Sequence, residues 1–251
     1  MKLQGRLSSH LQLTVGYALA RNTGFVEFSE YDNFRSAYGN MGDQRRHRLT
    51  ITGIYDLPQF NLGPGVTRRL LNNWSVAFIS ETDSAPPLDT ILTGLDLDGD
   101  GINRTLLPGT TRHNTFGRGL SQSDLRNLVK QYNDSVEVRT RRVTNPDGTV
   151  TVIRPRTPFN QVINPITLPD DFSNGDSFLT QDLRLTRRLN LREKFRLSLI
   201  GEVFNIFNIA NISGYSNVLN QPNYGQPSTR AGQVFGSGGP RAFQFATRLL
   251  F

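Results

Sequence analysis

The run Asp96-Leu-Asp-Gly-Asp-Gly-Ile102 has the residue spacing most suggestive of chemistry in this chain. Carboxylates at alternate positions followed by glycine can wrap a hard cation, so Asp96, Asp98 and Asp100 are candidate calcium ligands. In a 12-residue cation loop begun at Asp96, position nine is Arg104 and position twelve is Leu107, so the bidentate glutamate is missing. A polar external turn is the plainer reading. His10, His47 and His113 are scattered without metal-ligand spacing and read as structural histidines. The chain has no cysteine, which removes disulfides, thiolate zinc sites and thiol nucleophiles. It contains neither a G-x-S-x-G elbow nor a phosphate-binding loop. Gly236-Ser-Gly-Gly239 lacks the lysine and following helix of the latter and reads as a flexible approach to the last strand. No enzyme is expected, and no cofactor beyond calcium in that turn.

The elements that must position these residues show a period of two. Leu11, Leu13, Val15, Tyr17 and Leu19 alternate with Gln12, Thr14, Gly16 and Ala18. The same alternation marks 48–57, 73–82, 179–189, 194–206 and 241–251, with a shorter strand at 2–7. These lengths suit tilted strands crossing a bilayer. Hydrophobic residues make up 36% of the chain, and no run approaches the ~20 apolar residues of a membrane helix. Mean hydropathy is -0.40. The expected fold is all-β: an antiparallel up-and-down transmembrane β-barrel segment of about seven strands, an open curved sheet in isolation, within one domain spanning 1–251.

The connections support this. Ser8–His10 and Asn190–Glu193 are short and 58–72 is medium; 22–46, 84–178 and 207–240 are long. Because strands alternate direction, all the long links fall on one side, the pattern of short periplasmic turns and long external loops. Within 84–178, Ser121–Asn133 reads as a short helix capped by Ser121 or Ser123. Val136–Val143 and Thr149–Arg154 read as a hairpin around Asn145-Pro-Asp-Gly148.

On the polar face, Asp56, Glu81, Asp182, Arg184, Arg196, Glu202 and Arg248 are expected as inner-wall charges. Pairs such as Glu81 with Glu202, or Asp182 with Arg184, read as charge ladders rather than acid–base catalysts. Tyr17, Tyr55, Trp74, Phe78, Phe195, Phe243 and Phe251 are expected as interface girdles, with a sandwich core as the alternative. The net charge of +7 is compatible with nucleic acid or an anionic membrane surface. Its one dense cluster is Arg139, Arg141 and Arg142. Nucleic acid is therefore not an expected partner. The cluster could meet lipopolysaccharide phosphates, although a solvated face is the plainer reading. The terminal set Phe243, Phe245, Thr247, Leu249 and Phe251 resembles the signature read by the outer-membrane barrel-assembly machinery. An exposed edge strand with an aromatic end can pair with an assembly template.

Longer segments extend the resemblance. Gln44-Arg-Arg-His-Arg-Leu-Thr-Ile-Thr-Gly-Ile-Tyr-Asp-Leu-Pro58 and Leu71-Asn-Asn-Trp-Ser-Val-Ala-Phe78 look like successive strands of TonB-dependent receptors, especially the Oar-like group. Thr93–Gly101, Leu107–Asn114, Asp182–Arg187 and Leu199–Asn208 are similar to further elements of that group, in the same order. The resemblance implies a barrel of about 22 strands around a plug domain, driven through TonB and embedded in outer-membrane lipid, with a periplasmic C-terminus. Ligands in such families include iron chelates, cobalamin, glycans and peptides; the ligand here is not readable. Seven strands, and an N-terminus without an apolar signal segment, lead us to expect a C-terminal piece whose plug and TonB box lie elsewhere. The leading expectation is part of an uptake receptor. The alternatives are a surface adhesion or structural barrel that moves nothing, and a soluble calcium-dependent β-sandwich.

Overall fold

The computed structural model describes residues 1–26, 37–61, 63–192, 195–232 and 238–251. In chain order the elements begin β1 (Lys2–Arg6), β2 (Leu11–Leu19), β3 (Thr23–Phe25), β4 (Tyr38–Asn40) and β5 (His47–Asp56). There follow α1 (Gly65–Leu71), β6 (Trp74–Asp83), β7 (Ile91–Thr93), β8 (Arg104–Leu106), α2 (Gln122–Arg139), β9 (Arg141–Thr144) and β10 (Val150–Ile153). The chain ends with β11 (Phe178–Arg192), β12 (Phe195–Phe204), β13 (Ile212–Tyr215), β14 (Pro227–Arg230) and β15 (Ala242–Leu250).

Seven strands form one sheet in the order β1-β2-β5-β6-β11-β12-β15. Every neighbouring pair is antiparallel, so the sheet is an up-and-down meander. β1 and β15 each pair on one side only, and the sheet is open. All seven expected strands are present. The last ends at Leu250, leaving Phe251 one residue beyond the pairing with β12. No helix among the described residues is long and apolar enough to cross a membrane.

Register turns the period-two alternation into two faces, because directly paired residues point the same way. One row across the sheet reads Leu13, Gly53, Phe78, Leu183, Val203, Phe243. The parallel row on the other face reads Gln12, Ile54, Ala77, Arg184, Glu202, Gln244. Gly53 has a steric reason: an added Cβ would run into the Phe78 ring, which lies across the neighbouring strand.

The apolar face is not covered. None of the buried hydrophobic residues belongs to these seven strands, while Phe245 is 84% and Phe243 63% exposed. Tyr17, Tyr55, Phe195 and Phe251 are exposed as well, and Trp74 and Phe78 are half-buried. The sandwich-core alternative for these aromatics is therefore corrected, since no second layer packs on them among the described residues. Such a face would be costly in water and suits hydrocarbon.

The buried core lies instead in the connections. Leu88, Leu92, Leu107, Phe116, Leu125, Val136 and Phe172 pack with Leu219 and Tyr224. α2 is longer than expected and runs to Arg139, so the expected strand Val136–Val143 is corrected. Leu125, Val129, Tyr132 and Val136 recur at helical spacing and are all buried, and that packing carries the helix past Asn133. The hairpin that follows is β9 paired with β10. Ser121 is the N-cap in a complete capping box with Asp124. Glu193 of the expected Asn190–Glu193 turn lies outside the described residues. So do Gly236 and Ser237, and parts of the 22–46 and 207–240 connections.

Candidate functional site at the long-loop end of the sheet

Antiparallel order puts successive connections at alternate ends. The three long ones share an end, and there they dock on one another. Asn40 and Asn114 exchange amide hydrogen bonds, Asn40 Nδ2 donating to Asn114 O at 3.0 Å and Asn114 Nδ2 to Asn40 O at 2.7 Å. Asn220 does the same across the backbone of Thr93, accepting from its N at 3.0 Å and donating to its O at 2.8 Å. The rings of Phe116, Phe172 and Tyr224 lie with centroids 5.5–6.1 Å apart.

Asp89 is the hub of this cap. Its Oδ2 accepts from His113 Nδ1 at 2.6 Å, and its Oδ1 accepts from the amides of Thr90 at 2.9 Å and Asn114 at 3.1 Å. The Tyr224 hydroxyl donates to Asp89 O at 2.8 Å. Burial, then the negative charge of Asp89, pushes the Tyr224 phenol far above its usual range. Asp89 and Tyr224 were not singled out from the sequence, because the partners of Asp89 lie 24 and 135 residues away.

The carboxylate oxygens of Asp96, Asp98 and Asp100 lie within 4.8 Å of one another. Asp96 is fully buried, and its two oxygens are already served by backbone amides, Gly99 N at 2.7 Å and Gly101 N at 2.8 Å. Burial raises the Asp96 carboxyl, but these amides outweigh it and hold it below the usual range. Asp98 is raised by burial and by its hydrogen bond with Asp96. The Asp100 carboxylate accepts from Ile102 N at 2.7 Å through Oδ1, and its Oδ2 is buried without a hydrogen-bond partner. Leu107, at the twelfth position, is buried in the cap core. The turn thus satisfies Asp96 through its own backbone and leaves Asp100 Oδ2 buried without a hydrogen bond.

The histidines share no site. His47 Nδ1 meets the Tyr17 hydroxyl at 2.7 Å, His10 Nδ1 meets Ser9 Oγ at 2.7 Å, and His113 is held by Asp89. Arg142 pairs with Glu137 at 2.6 Å, and Arg139 Nε donates to Ser135 O at 3.1 Å, so two of the three arginines in that cluster have local partners.

The seven charges expected on one wall all share the polar face. Glu81 pairs with Arg48, which also reaches Asp83 at 3.3 Å. Glu202 pairs with Arg184 at 2.7 Å, and Asp56 lies 3.5 Å from Arg188. Glu81 and Glu202 are therefore on separate arginines. Asp182 sits near the long-loop end, where its Oδ1 accepts from Asn205 N at 2.8 Å and Thr180 Oγ1 at 3.2 Å. Ile54, Ile79 and Ile200 interrupt this face. The alternation also missed Arg187, which lies on the apolar face between Trp74 and Leu199. Its guanidinium lies 5.3 Å from the Trp74 ring centroid and donates to Arg69 O at 2.5 Å, so the charge is drawn back toward the short-turn end.

In the terminal set, Phe243, Phe245 and Leu249 lie on the apolar face opposite Val203, Gly201 and Leu197 of β12. No curated protein and no solved structure matches the chain. A family profile described as an outer membrane beta barrel domain matches residues 1–244. With nearly the whole sequence matched, and an antiparallel sheet whose apolar face is left open, this chain belongs to the outer membrane beta barrel domain family of the Gram-negative outer membrane.

Proposed function

We propose that this chain is part of a TonB-dependent receptor barrel that takes a ligand across the outer membrane. The observation that carries the reading lies on the polar face at the short-turn end. There Arg188, Arg196 and Arg248 line a concavity of about 440 Å³ in which Asp56 is the one acid among the described residues. Arg188 is beside Asp56, but Arg196 and Arg248 have no ion pair among the described residues. A barrel holding only water needs no such excess of inward cations. A barrel filled by a second charged element, such as a plug, gains from them.

In this reading the short turns and the C-terminus are periplasmic and the long connections external. Lipid and lipopolysaccharide surround the apolar face. The assembly machinery engages β15 through its unpaired edge. A second reading, an adhesion or structural barrel, draws support from the cap, whose own apolar core makes a preformed surface.

Uptake measurements discriminate between the two. Cells expressing the full gene are offered labelled ferric chelates, cobalamin, oligosaccharides and peptides, with and without TonB. Accumulation of one of them that requires TonB supports the receptor. Surface binding without TonB-dependent accumulation supports the adhesion. In-frame upstream sequence encoding a plug and a TonB box is expected under the first reading only.

A further inference from the structure

We propose that the cavity between the 22–46 and 84–178 connections is a binding site for an oxyanion, a phosphate or a carboxylate group. The site deepens the receptor reading by naming a ligand class, and it depends on that reading only for lying outside the cell. The cavity has a volume of about 350 Å³. Arg21, two residues past β2, lines it together with Arg112 and Arg118 of the 84–178 connection. Thr23, Thr110 and Thr115 add hydroxyls, and no carboxylate is among the described residues that line it. The hydroxyls of Thr110 and Thr115 donate to Leu107 O and Arg112 O, so the donors open to a ligand are the guanidiniums. Three guanidiniums without a counter-charge among the described residues match the planar, multi-oxygen geometry of phosphate and carboxylate.

The three arginines divide the work. Arg118 is structural: its guanidinium donates to Gly117 O at 2.9 Å, Gln44 O at 3.3 Å and Ala85 O at 2.5 Å, stitching the connections to the sheet rim. All these acceptors are neutral, and Arg118 has no ion pair among the described residues. Its Nε is buried with no hydrogen-bond partner. Burial, and then the charge of Arg46, lowers the Arg118 guanidinium from its ordinary value. Arg21 and Arg112 are exposed and have neither a hydrogen bond nor an ion pair from their side chains among the described residues. They are free to close on a ligand.

The backbone keeps the cavity in shape. Gly39 packs against the backbone of His113, where any Cβ would collide, and Thr23 Oγ1 meets the Tyr38 hydroxyl at 2.8 Å. The floor is thus fixed by the same Asn40–Asn114 and Asp89–His113 contacts that hold the cap.

The test is calorimetry on the full chain in dodecyl maltoside, with inorganic phosphate and citrate as soluble probes. Phosphatidylcholine vesicles with and without lipid A are the membrane probes. Saturable binding of phosphate or citrate is expected. It should weaken about tenfold or more in Arg112→Ala and further in the Arg21→Ala/Arg112→Ala pair, as loss of charge-assisted contacts requires. Thermal stability should not move, since neither side chain holds the fold. Binding to lipid A vesicles but not to the soluble anions, lost in the same pair, identifies a lipid headgroup as the source. The proposal is overturned if the wild type binds none of these probes at millimolar concentration, or if the double variant binds them as tightly. Uptake is not measured here, so failure of the site and failure of the receptor reading are separate results.

Discussion

Asp89 and His113 meet at 2.6 Å with side chains only 4% and 5% exposed, and this pair joins the start of the long connection to its middle. The carboxylate has three hydrogen-bonding neighbours, Thr90 N, His113 Nδ1 and Asn114 N, and the Tyr224 hydroxyl donates to the Asp89 backbone carbonyl, so this residue sets the backbone course of 89–90 and 113–114 together.

Asp89→Ala leaves the Thr90 and Asn114 amides and the His113 ring without their acceptor in a buried place. The cap should lose about 3 kcal/mol of local stability. Hydrogen exchange reads this directly: protection should fall across 88–116 and stay unchanged in β11 and β12. Equal loss in cap and sheet would show that the two are one cooperative unit.

Asp96 and Asp98 give the turn 95–102 opposing pH dependences. The Asp96 carboxyl is held below its ordinary 3.8, so its stabilisation is complete above that value and disappears as pH falls through the lower folded value. Asp98 is raised above 3.8, so its contribution is present below that value and lost as pH rises through the folded value. Asp96→Asn should therefore loosen the turn at neutral pH, and Asp98→Asn should tighten it. Protease cleavage within 95–105 measures both. Because Gly99 and Gly101 already serve Asp96, a chelator should leave the cleavage rate unchanged; faster cleavage would assign the cluster a resident cation.

Neighbouring residues of β15 test the two faces. Phe245 belongs to the apolar face and Gln244 to the polar one, opposite Glu202. Phe245→Arg should destabilise the folded protein in bilayers by about 2–4 kcal/mol, whereas Gln244→Arg should cost little. Denaturant titration in lipid vesicles compares them. Equal costs would remove the assignment of the apolar face to lipid.

The Arg184–Glu202 pair should contribute modestly despite its 2.7 Å contact, because Arg184 is 53% exposed. A double-mutant cycle with Arg184→Gln and Glu202→Gln should return a coupling of about 0.2–1 kcal/mol that shrinks with salt. A coupling several times larger and independent of salt would mean that the wall is dry.

The strands were legible because their signal is local. A side chain in a strand points opposite to its neighbours, so Leu11 to Leu19 and Phe243 to Leu249 declare a period of two without help from the rest of the chain. The acid triad was legible for the same reason, as was the Ser121 cap. Val136 was not. Its neighbours suit a strand, and only packing against the cap core makes it helical. Arg187 departs from the alternation, and its tolerance on the apolar face depends on Trp74 and the Arg69 carbonyl.

By itself, then, the sequence determined seven alternating strands, their two faces and the sorting of long connections to one end. Tertiary structure alone decided that those connections share a core, that Asp89 lies under Tyr224, and that Arg21 faces Arg112 and Arg118 across one cavity. The physical reason is range. Alternation is written in neighbouring residues by the geometry of one strand. A cap assembled from segments more than 100 residues apart is chosen by burial and hydrogen bonding among surfaces that meet only once the sheet has brought the strand ends together.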